Sequence, residues 1–532
     1  MEQNTYLCNQ FCLKVFRMRT SRTICAAMFL ALAGTAAAGG LLTNTNQNVA
    51  FLRNPARDAV IAIDGVYSNP AGVAFLGEGH HLSLNWQFAY QSRTIDNQYP
   101  LFANNTNDHT TTREFEGTAV APVVPSIQYA YNKGRLSFQA NLSVTGGGGK
   151  CTFDNGLGSF EKIVAETAAG ACGLASAIDG TLSQLAGTPM QLFTADSRFG
   201  SKGEYSYDSY MRGRQYYYGL SVGAAYKATN NLSVFAGVRA VYALCNYYGY
   251  VENIKVGNIP LYSVLDASKS DAADIELNCD QSGLGFTPML GIDYKVGRFN
   301  FAAKYEFKTR IRLKNEAVNH TPSIGNLPSN LLASMTSGGM SEASAKAVLG
   351  SETVTGAMTS LKGQFDAKME EAIGEYEDDK SIAADIPSLL TVGVDYTPID
   401  QLHLSAGFHY FDDKHATVYN NHQDKLDRGT IEFNAGVEYT VCKPLTVSAG
   451  WQTTNYGITD EYMDDKSFVV SSNSLGVGVL VRLSKRMSLN AAYFHTFYKH
   501  KKTNEAVAQN INYTADYTRN NNVFGLGLDV DF

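Results

Sequence analysis

Beyond Ala38 the chain has no apolar run long enough to cross a membrane as a helix, which takes about 20 residues. A helical membrane bundle is thereby excluded. Charge is scarce too, at 17% Asp, Glu, Lys and Arg, and the formal net charge is -7. Nucleic acid is therefore not an expected partner, because a phosphate backbone is held by basic surface. There is no Cys-x-x-Cys pair and no Cys/His cluster at ligand spacing, so neither a metal nor a cofactor is expected. Tryptophan is nearly missing, with 2 residues, whereas Gly (48), Tyr (31) and Phe (27) are plentiful. That bias suits strands and aromatic girdles.

The N-terminus reads as an export signal. Lys14, Arg17, Arg19 and Arg22 precede an apolar run from Ile24 to Ala38 that ends in Ala36-Ala37-Ala38, in the order of basic region, apolar region and small-residue cleavage site. The expected signal is 1–38, starting at Met1 or Met18, with a mature chain from Gly39. Its removal takes away four basic groups and one acid and leaves -10. No lipidation cysteine follows. At the other end Phe524, Leu526, Leu528, Val530 and Phe532 alternate with Gly525, Gly527, Asp529 and Asp531, a strand with one apolar face.

Fourteen such alternating segments are legible. They centre on Leu82–Tyr90, Ile127–Tyr131, Leu136–Val144, Tyr218–Tyr226, Leu232–Tyr242, Leu290–Tyr294 and Phe299–Ile311, then on Leu390–Tyr396, Leu402–Tyr410, Ile431–Tyr439, Leu445–Thr453, Leu475–Leu483, Met487–Tyr493 and Phe524–Phe532. Tight turns such as 132–135, 227–231, 295–298, 397–400, 440–444 and 484–486 alternate with longer polar connections. In outer-membrane barrels short turns face the periplasm and long loops face outside. The expected fold class is all-β: a transmembrane antiparallel β-barrel of about 14 strands in the cell outer membrane. Phe299, Phe301, Ala303, Tyr305 and Phe307 form its lipid side on one strand. The opposite side carries Asn300, Lys304, Glu306, Lys308 and Arg310, so it is expected to line a polar lumen, since a midplane Lys or Arg facing lipid costs about 2–4 kcal/mol.

Residues 39–78 are neither signal nor strand and hold two Asn-Pro-Ala sequences, Asn54-Pro55-Ala56 and Asn69-Pro70-Ala71. With the signal, the strand count and the terminal Phe532, this segment resembles the long-chain fatty acid transporter family of outer-membrane proteins, which includes toluene-type hydrocarbon channels. The resemblance implies an N-terminal hatch (39–78) inside a barrel (79–532), with its motif at Asn69, Pro70 and Ala71 rather than at the first copy. The terminal strand resembles that of bacterial barrel proteins generally, in which a final Phe, here Phe532, is read by the barrel-assembly machinery during insertion. The activity implied by the family resemblance is passive uptake of hydrophobic small molecules, long-chain fatty acids or similar, gated by the hatch with lateral release. An outer-membrane adhesin or haem-binding receptor is the alternative, for which His80-His81 could be invoked. His403 and His409 share one side of a strand, but no nucleophile-base pair accompanies them and no enzyme is expected.

The family's third strand is kinked, and Gly146-Gly147-Gly148-Gly149 is the candidate here, although a flexible loop start is the plainer reading of four glycines. Long outer loops are expected near 149–204 and 315–385, the first after strand three where the family has its own after strands five and seven. Phe160, Ile163, Val164 and Ala168 recur at helical spacing, as do Leu361, Phe365, Met369 and Ile373. The second set is a candidate ligand-collecting face, although packing on the barrel mouth and between the helices is the plainer reading. Cys151 with Cys172 and Cys245 with Cys279 are candidate disulfides in an oxidising compartment, with Cys442 left over and free buried thiols as the equal alternative. The remaining expected partners are outer-membrane lipids and lipopolysaccharide, and the chain is expected to be a monomer.

Overall fold

The computed structural model describes residues 43, 48–191, 203–322, 324, 326–508 and 511–532. The signal at 1–38 and the alternative start at Met18 lie outside them. Fourteen wall strands run in chain order: β1 (Gly79–Gln98), β2 (Thr112–Lys133), β3 (Leu136–Phe153), β4 (Tyr205–Lys227), β5 (Leu232–Val256), β6 (Ile275–Val296) and β7 (Phe299–Glu306, resuming at Arg312–Ala317). The second half comprises β8 (Ser381–Ala383 and Leu389–Ile399), β9 (Leu402–Phe411), β10 (Arg428–Cys442), β11 (Leu445–Gly457), β12 (Ser472–Arg482), β13 (Met487–Tyr498 and Lys501–Ala508) and β14 (Ile511–Asp531). Each pairs antiparallel with its neighbours, and β14 returns to β1 from His81↔Asp531 to Gln98↔Thr514. The sheet is a closed barrel without a free edge.

Strand alternation sorts the side chains inside out. Leu84, Trp86, Leu220, Phe286, Leu290, Phe301, Phe433, Leu475 and Phe524 are exposed on the outer surface. Ser83, Gln128, Asn141, Asp293, Gln452 and Asn490 are buried on the lumen side. This reversal of the usual burial order fits a wall whose outer solvent is apolar. No helix among the described residues is long and apolar enough to cross a membrane. Tyr226, Tyr294 and Tyr439 stand exposed near the short-turn end, and Tyr218 and Tyr242 stand exposed higher on β4 and β5; these are the positions of two aromatic girdles.

One expected alternation fails partway. Along β7, Asn300, Lys304 and Glu306 face the lumen, but beyond the break the buried positions become Thr309, Ile311, Leu313 and Asn315. Arg310, expected inside, is exposed, and Lys308 donates to the His415 carbonyl at 2.8 Å. Met289 pairs with Glu306 while Ser282 pairs with Lys314, so β7 spends one residue more than β6 over this stretch. An inserted residue exchanges the two faces of every position beyond it.

The long connections at the other end carry the helices: α1 (Gly158–Ala186) after β3, and α2 (Leu327–Ser337), α3 (Glu342–Leu349) and α4 (Glu352–Ile373) between β7 and β8. In α1 the buried Ile163, Val164, Ala168, Ala175, Ile178 and Leu182 follow helical spacing. Gly187 then ends the helix at φ 67°, a left-handed conformation that glycine adopts freely. Ser351 caps α4 by accepting from the Val354 amide.

Candidate functional site

Residues 48–76 fill the lumen with short turns rather than one regular element. Asn48 caps the brief helix Val49–Arg53 by accepting from the Ala50 amide, and it donates to Gln128 of β2 at 2.6 Å. Polar backbone left inside the barrel must find partners, and the wall supplies them. Gln139 donates to the Pro70 carbonyl at 2.7 Å, Asn132 to the Val73 carbonyl at 2.8 Å, Asn300 to the Ala59 carbonyl at 2.6 Å and Lys304 to the Tyr67 carbonyl at 2.8 Å.

Charged contacts complete the attachment. Arg57 grips Asp64 of the same segment with two bonds of 2.7 and 2.8 Å and reaches Glu438 of β10 at 2.7 Å. Arg53 meets the same Glu438 oxygen at 2.9 Å. His409 of β9 faces Asp58 through Nε2 at 2.9 Å and Glu432 of β10 through Nδ1 at 2.9 Å. On the other side, Arg239 and Lys304 share Glu306, each at 2.7 Å, and both cations lie over the Tyr67 ring. Buried pairs like these add little net stability, but removing one partner strands the other charge at a cost of about 3–5 kcal/mol.

Both Asn-Pro-Ala sequences serve as anchors. Asn69 accepts from the Gly72 amide at 3.2 Å and donates to Asp293 of β6 at 2.6 Å. Asn54 accepts from the Ala56 amide at 3.0 Å and donates to Ser405 at 3.1 Å and Glu438 at 3.4 Å. In each, the Asn holds a turn with its oxygen and a wall acid with its nitrogen, while proline fixes the following φ. Asn69 is the copy expected from the sequence; Asn54 is a second anchor, marked in the sequence only by the identity of the two tripeptides.

The seat for the first anchor is made of inward-facing glycines. Gly393, Gly407, Gly436, Gly450, Gly476 and Gly478 lie on β8 to β12. A Cβ on Gly450 would come within 2.5 Å of Pro55 Cδ, on Gly393 within 2.6 Å of Asp58 Cβ, and on Gly478 within 2.7 Å of Arg53 Cβ. On Gly436 it would collide with the Asn54 amide. Glycine in a strand marks such close backbone approach.

Two cavities stand out, and only the first touches this plug. One, of ≈ 600 Å³ and partly open, lies beside it and is lined by Phe51, Pro55, Tyr67, Thr391, His409 and Phe411 among others. The second, of ≈ 720 Å³ and also partly open, lies among the outer helices and is almost wholly apolar. Leu361 and Phe365 line it, with Leu174, Ile178, Leu261 and Leu331 facing them. Met369 packs in the same cluster, whereas Ile373 packs against the cluster below. The helices around it are tied by ion pairs from Lys368 to Glu166 and from Lys162 to Glu505. Burial alone would raise the Glu166 carboxyl, but the Lys368 and Lys162 ammonium groups hold it below the usual carboxylate range.

The four glycines fall inside β3, not at a loop start. Gly147 and Gly149 take φ values of 92° and 77°, and the β3 to β4 register slips around Gly146 and Gly149. Opposite them the β2 to β3 ladder is interrupted between Ala119↔Cys151 and Ser126↔Ser143. The β2 side of this seam, 120–125, includes Pro122 and Pro125, which lack an amide hydrogen to offer.

The candidate disulfides are not formed, and the alternative of free thiols holds. Cys245 is opposite Gln281, and Cys279 is opposite Tyr247, so the two cysteines sit on a diagonal. Diagonal positions are about 7–8 Å apart, beyond the usual disulfide reach. Cys151 packs in the lumen cluster beneath the loops, and Cys172 packs against the helical cluster above it. Cys442 is exposed at the short-turn end. His80 stacks between Tyr131 and Phe532, whose backbone it bonds in both directions, and His81 contacts Asp531 at 2.6 Å. Both histidines of that pair are engaged in the β1–β14 closure. His403, half-exposed, faces Asp395 at 3.5 Å and does not join His409.

A closed 14-stranded barrel, plugged by its own N-terminal segment and roofed by helices, is the class of protein these features define. It is the fold of a solved Pseudomonas aeruginosa FadL homologue, which is 14% identical and matches at a TM-score of 0.57 over 93% of this chain and 100% of the other. The Ralstonia pickettii toluene transporter TbuX aligns at 14% identity and a TM-score of 0.49, covering 92% and 99% of the two chains. No family model and no curated relative matches the sequence.

Proposed function

We propose that this chain is an outer-membrane channel for passive uptake of hydrophobic small molecules, long-chain fatty acids or molecules of similar character. The observation that carries the reading is the apolar pocket among the outer helices. Its lining is almost wholly apolar, as small-molecule sites are, and exposing such a lining to water has no structural benefit. From there the ligand passes to the cavity beside the plug and leaves sideways through the β2–β3 seam, while the plug bars open flow of water. The kinked glycines and the interrupted ladder support that exit. The shared fold of the FadL homologue supports the general reading.

The test is uptake of radiolabelled oleate by cells that lack their own fatty acid transporter and express this chain. An Asn69→Ala/Pro70→Ala variant at equal abundance serves as comparison. Uptake with the parent chain and weakened uptake with the variant is the expected result. Absence of uptake from a properly inserted barrel would move the ligand to another hydrophobic class.

A further inference from the structure

A membrane-spanning β-strand needs about 9–11 residues. Counted from the short-turn end, that interval covers 136–146 on β3, 216–226 on β4 and 232–242 on β5. The registers agree, since Leu136 pairs with Tyr226 and Tyr226 with Val234. Tyr216 and Tyr218 stack at 5.9 Å at the upper limit, beside exposed Tyr242. The next outward-facing positions above this girdle are basic. Lys150 pairs in register with Arg214, and Arg212 lies one outward step further up. Lys150 and Arg214 are exposed.

Arg212 is held in place: its guanidinium lies 5.4 Å from the Tyr248 ring centre, and Nη2 donates to Asn246 at 2.8 Å. Its Nε is buried with no hydrogen-bond partner. Among the described residues none of the three cations has a carboxylate within ion-pair distance. Asp280, the nearest acid in the row, is separated from Arg214 by Asn246, whose amide it accepts at 2.9 Å. Asp208 and Glu252 stand opposite each other further up, Asp208 four residues from Arg212 and about 13 Å along the strand.

Three cations without an ion-pair partner, on the lipid-facing side just above an aromatic girdle and with the exposed acids Asp154 and Glu116 one outward row higher, are placed to meet anionic headgroups. We propose that Lys150, Arg212 and Arg214 form a binding site for the phosphates of an outer-leaflet glycolipid of the lipid A type, its acyl chains lying against Leu142, Leu220 and Tyr218. The site adjoins the β2–β3 seam, so the bound glycolipid borders the proposed exit. It rests on the outer-membrane placement proposed above but not on the transported ligand.

The experiment is native mass spectrometry of the purified full barrel, titrated with bisphosphorylated lipid A. One bound copy is expected, with affinity at least tenfold lower in the Lys150→Gln/Arg212→Gln/Arg214→Gln variant. Because Arg212 also packs on Tyr248, a Lys150→Gln/Arg214→Gln variant is measured alongside and is expected to lose most of the same affinity. Arg312→Gln/Lys314→Gln, which removes cations already facing Asp385 and Asp379, is expected to bind as the parent does. Folding of each is checked by heat-modifiable gel mobility. Equal binding of dephosphorylated lipid A, equal retention by the folded variants, or equally tight binding of inorganic phosphate alone would overturn the site. Failure of oleate uptake would leave it untouched.

Discussion

His409 stands between a carboxylate of the plug and a carboxylate of the wall, 2.9 Å from Asp58 and 2.9 Å from Glu432. Each ring nitrogen has a carboxylate within hydrogen-bond distance, and only an imidazole protonated on both nitrogens can donate to the two at once. His409→Ala would leave two buried carboxylates facing one another and is expected to loosen the plug by about 3–5 kcal/mol. Hydrogen exchange of residues 54–67 should accelerate while the β9 and β10 amides stay protected. Unchanged exchange of the plug would show that this contact does not hold it.

The two asparagine anchors reach different wall acids, Glu438 for Asn54 and Asp293 for Asn69. Each Asn→Ala substitution removes a buried hydrogen bond from plug to wall acid, at about 1–3 kcal/mol, while Arg53 and Arg57 stay on Glu438 and Asn300 stays on Asp293. Separate partners should make the costs roughly additive. In planar bilayers, single variants are expected to show brief conductance bursts and the double variant sustained conductance. A double variant no leakier than either single would contradict independent anchoring.

Gly436→Ala places a methyl group against the Asn54 amide, so it is expected to displace the plug without harming the barrel. Gly363→Ala, in α4 where an added Cβ meets nothing within 4 Å, should be neutral or slightly stabilising. Bilayer leakage together with gel mobility separates the two results. Equal behaviour of both variants would remove the seat from the account of how the plug docks.

The loop between β9 and β10 holds two opposed titrations. Burial pushes the His422 imidazole from 6.5 down to about 4, so its contribution is complete above pH 6.5 and lost as pH falls through 4. Burial pushes the Asp413 carboxyl from 3.8 up to about 7, against the Thr430 hydrogen bonds, so its contribution is complete below pH 3.8 and lost as pH rises through 7. The two slopes offset, and the parent loop should be nearly flat between pH 4 and 7. His422→Gln should expose a loss of about 3 kcal/mol as pH rises across that interval, and Asp413→Asn a similar loss as it falls. Hydrogen exchange of the loop, corrected for intrinsic rates, measures both slopes.

Leu361→Asp/Phe365→Asp puts charge into the apolar pocket. Uptake is expected to fall severalfold at low ligand concentration and recover at high concentration, because capture rather than passage is weakened. A loss that persists at saturating ligand would place the defect below the mouth.

Period-two alternation is a local property, visible wherever polar and apolar side chains take turns along ten residues of wall. It was enough to determine the fourteen strands, the short-turn end and the lipid face of β7 at Phe299, Phe301 and Tyr305. Helical spacing likewise located α1 and α4, because each buries one stripe. What joins residues far apart in the chain was decided by the tertiary structure alone. The inserted residue in β7 that turns Arg310 outward is invisible without its partner strand, and the diagonal offset of Cys245 and Cys279 depends on a register no composition encodes. The glycine seat draws on five strands, each glycine ordinary in its own segment. Asn54 became an anchor only when ring closure brought Ser405 and Glu438 to it, since a hydrogen bond across more than 350 residues is set by how the barrel shuts.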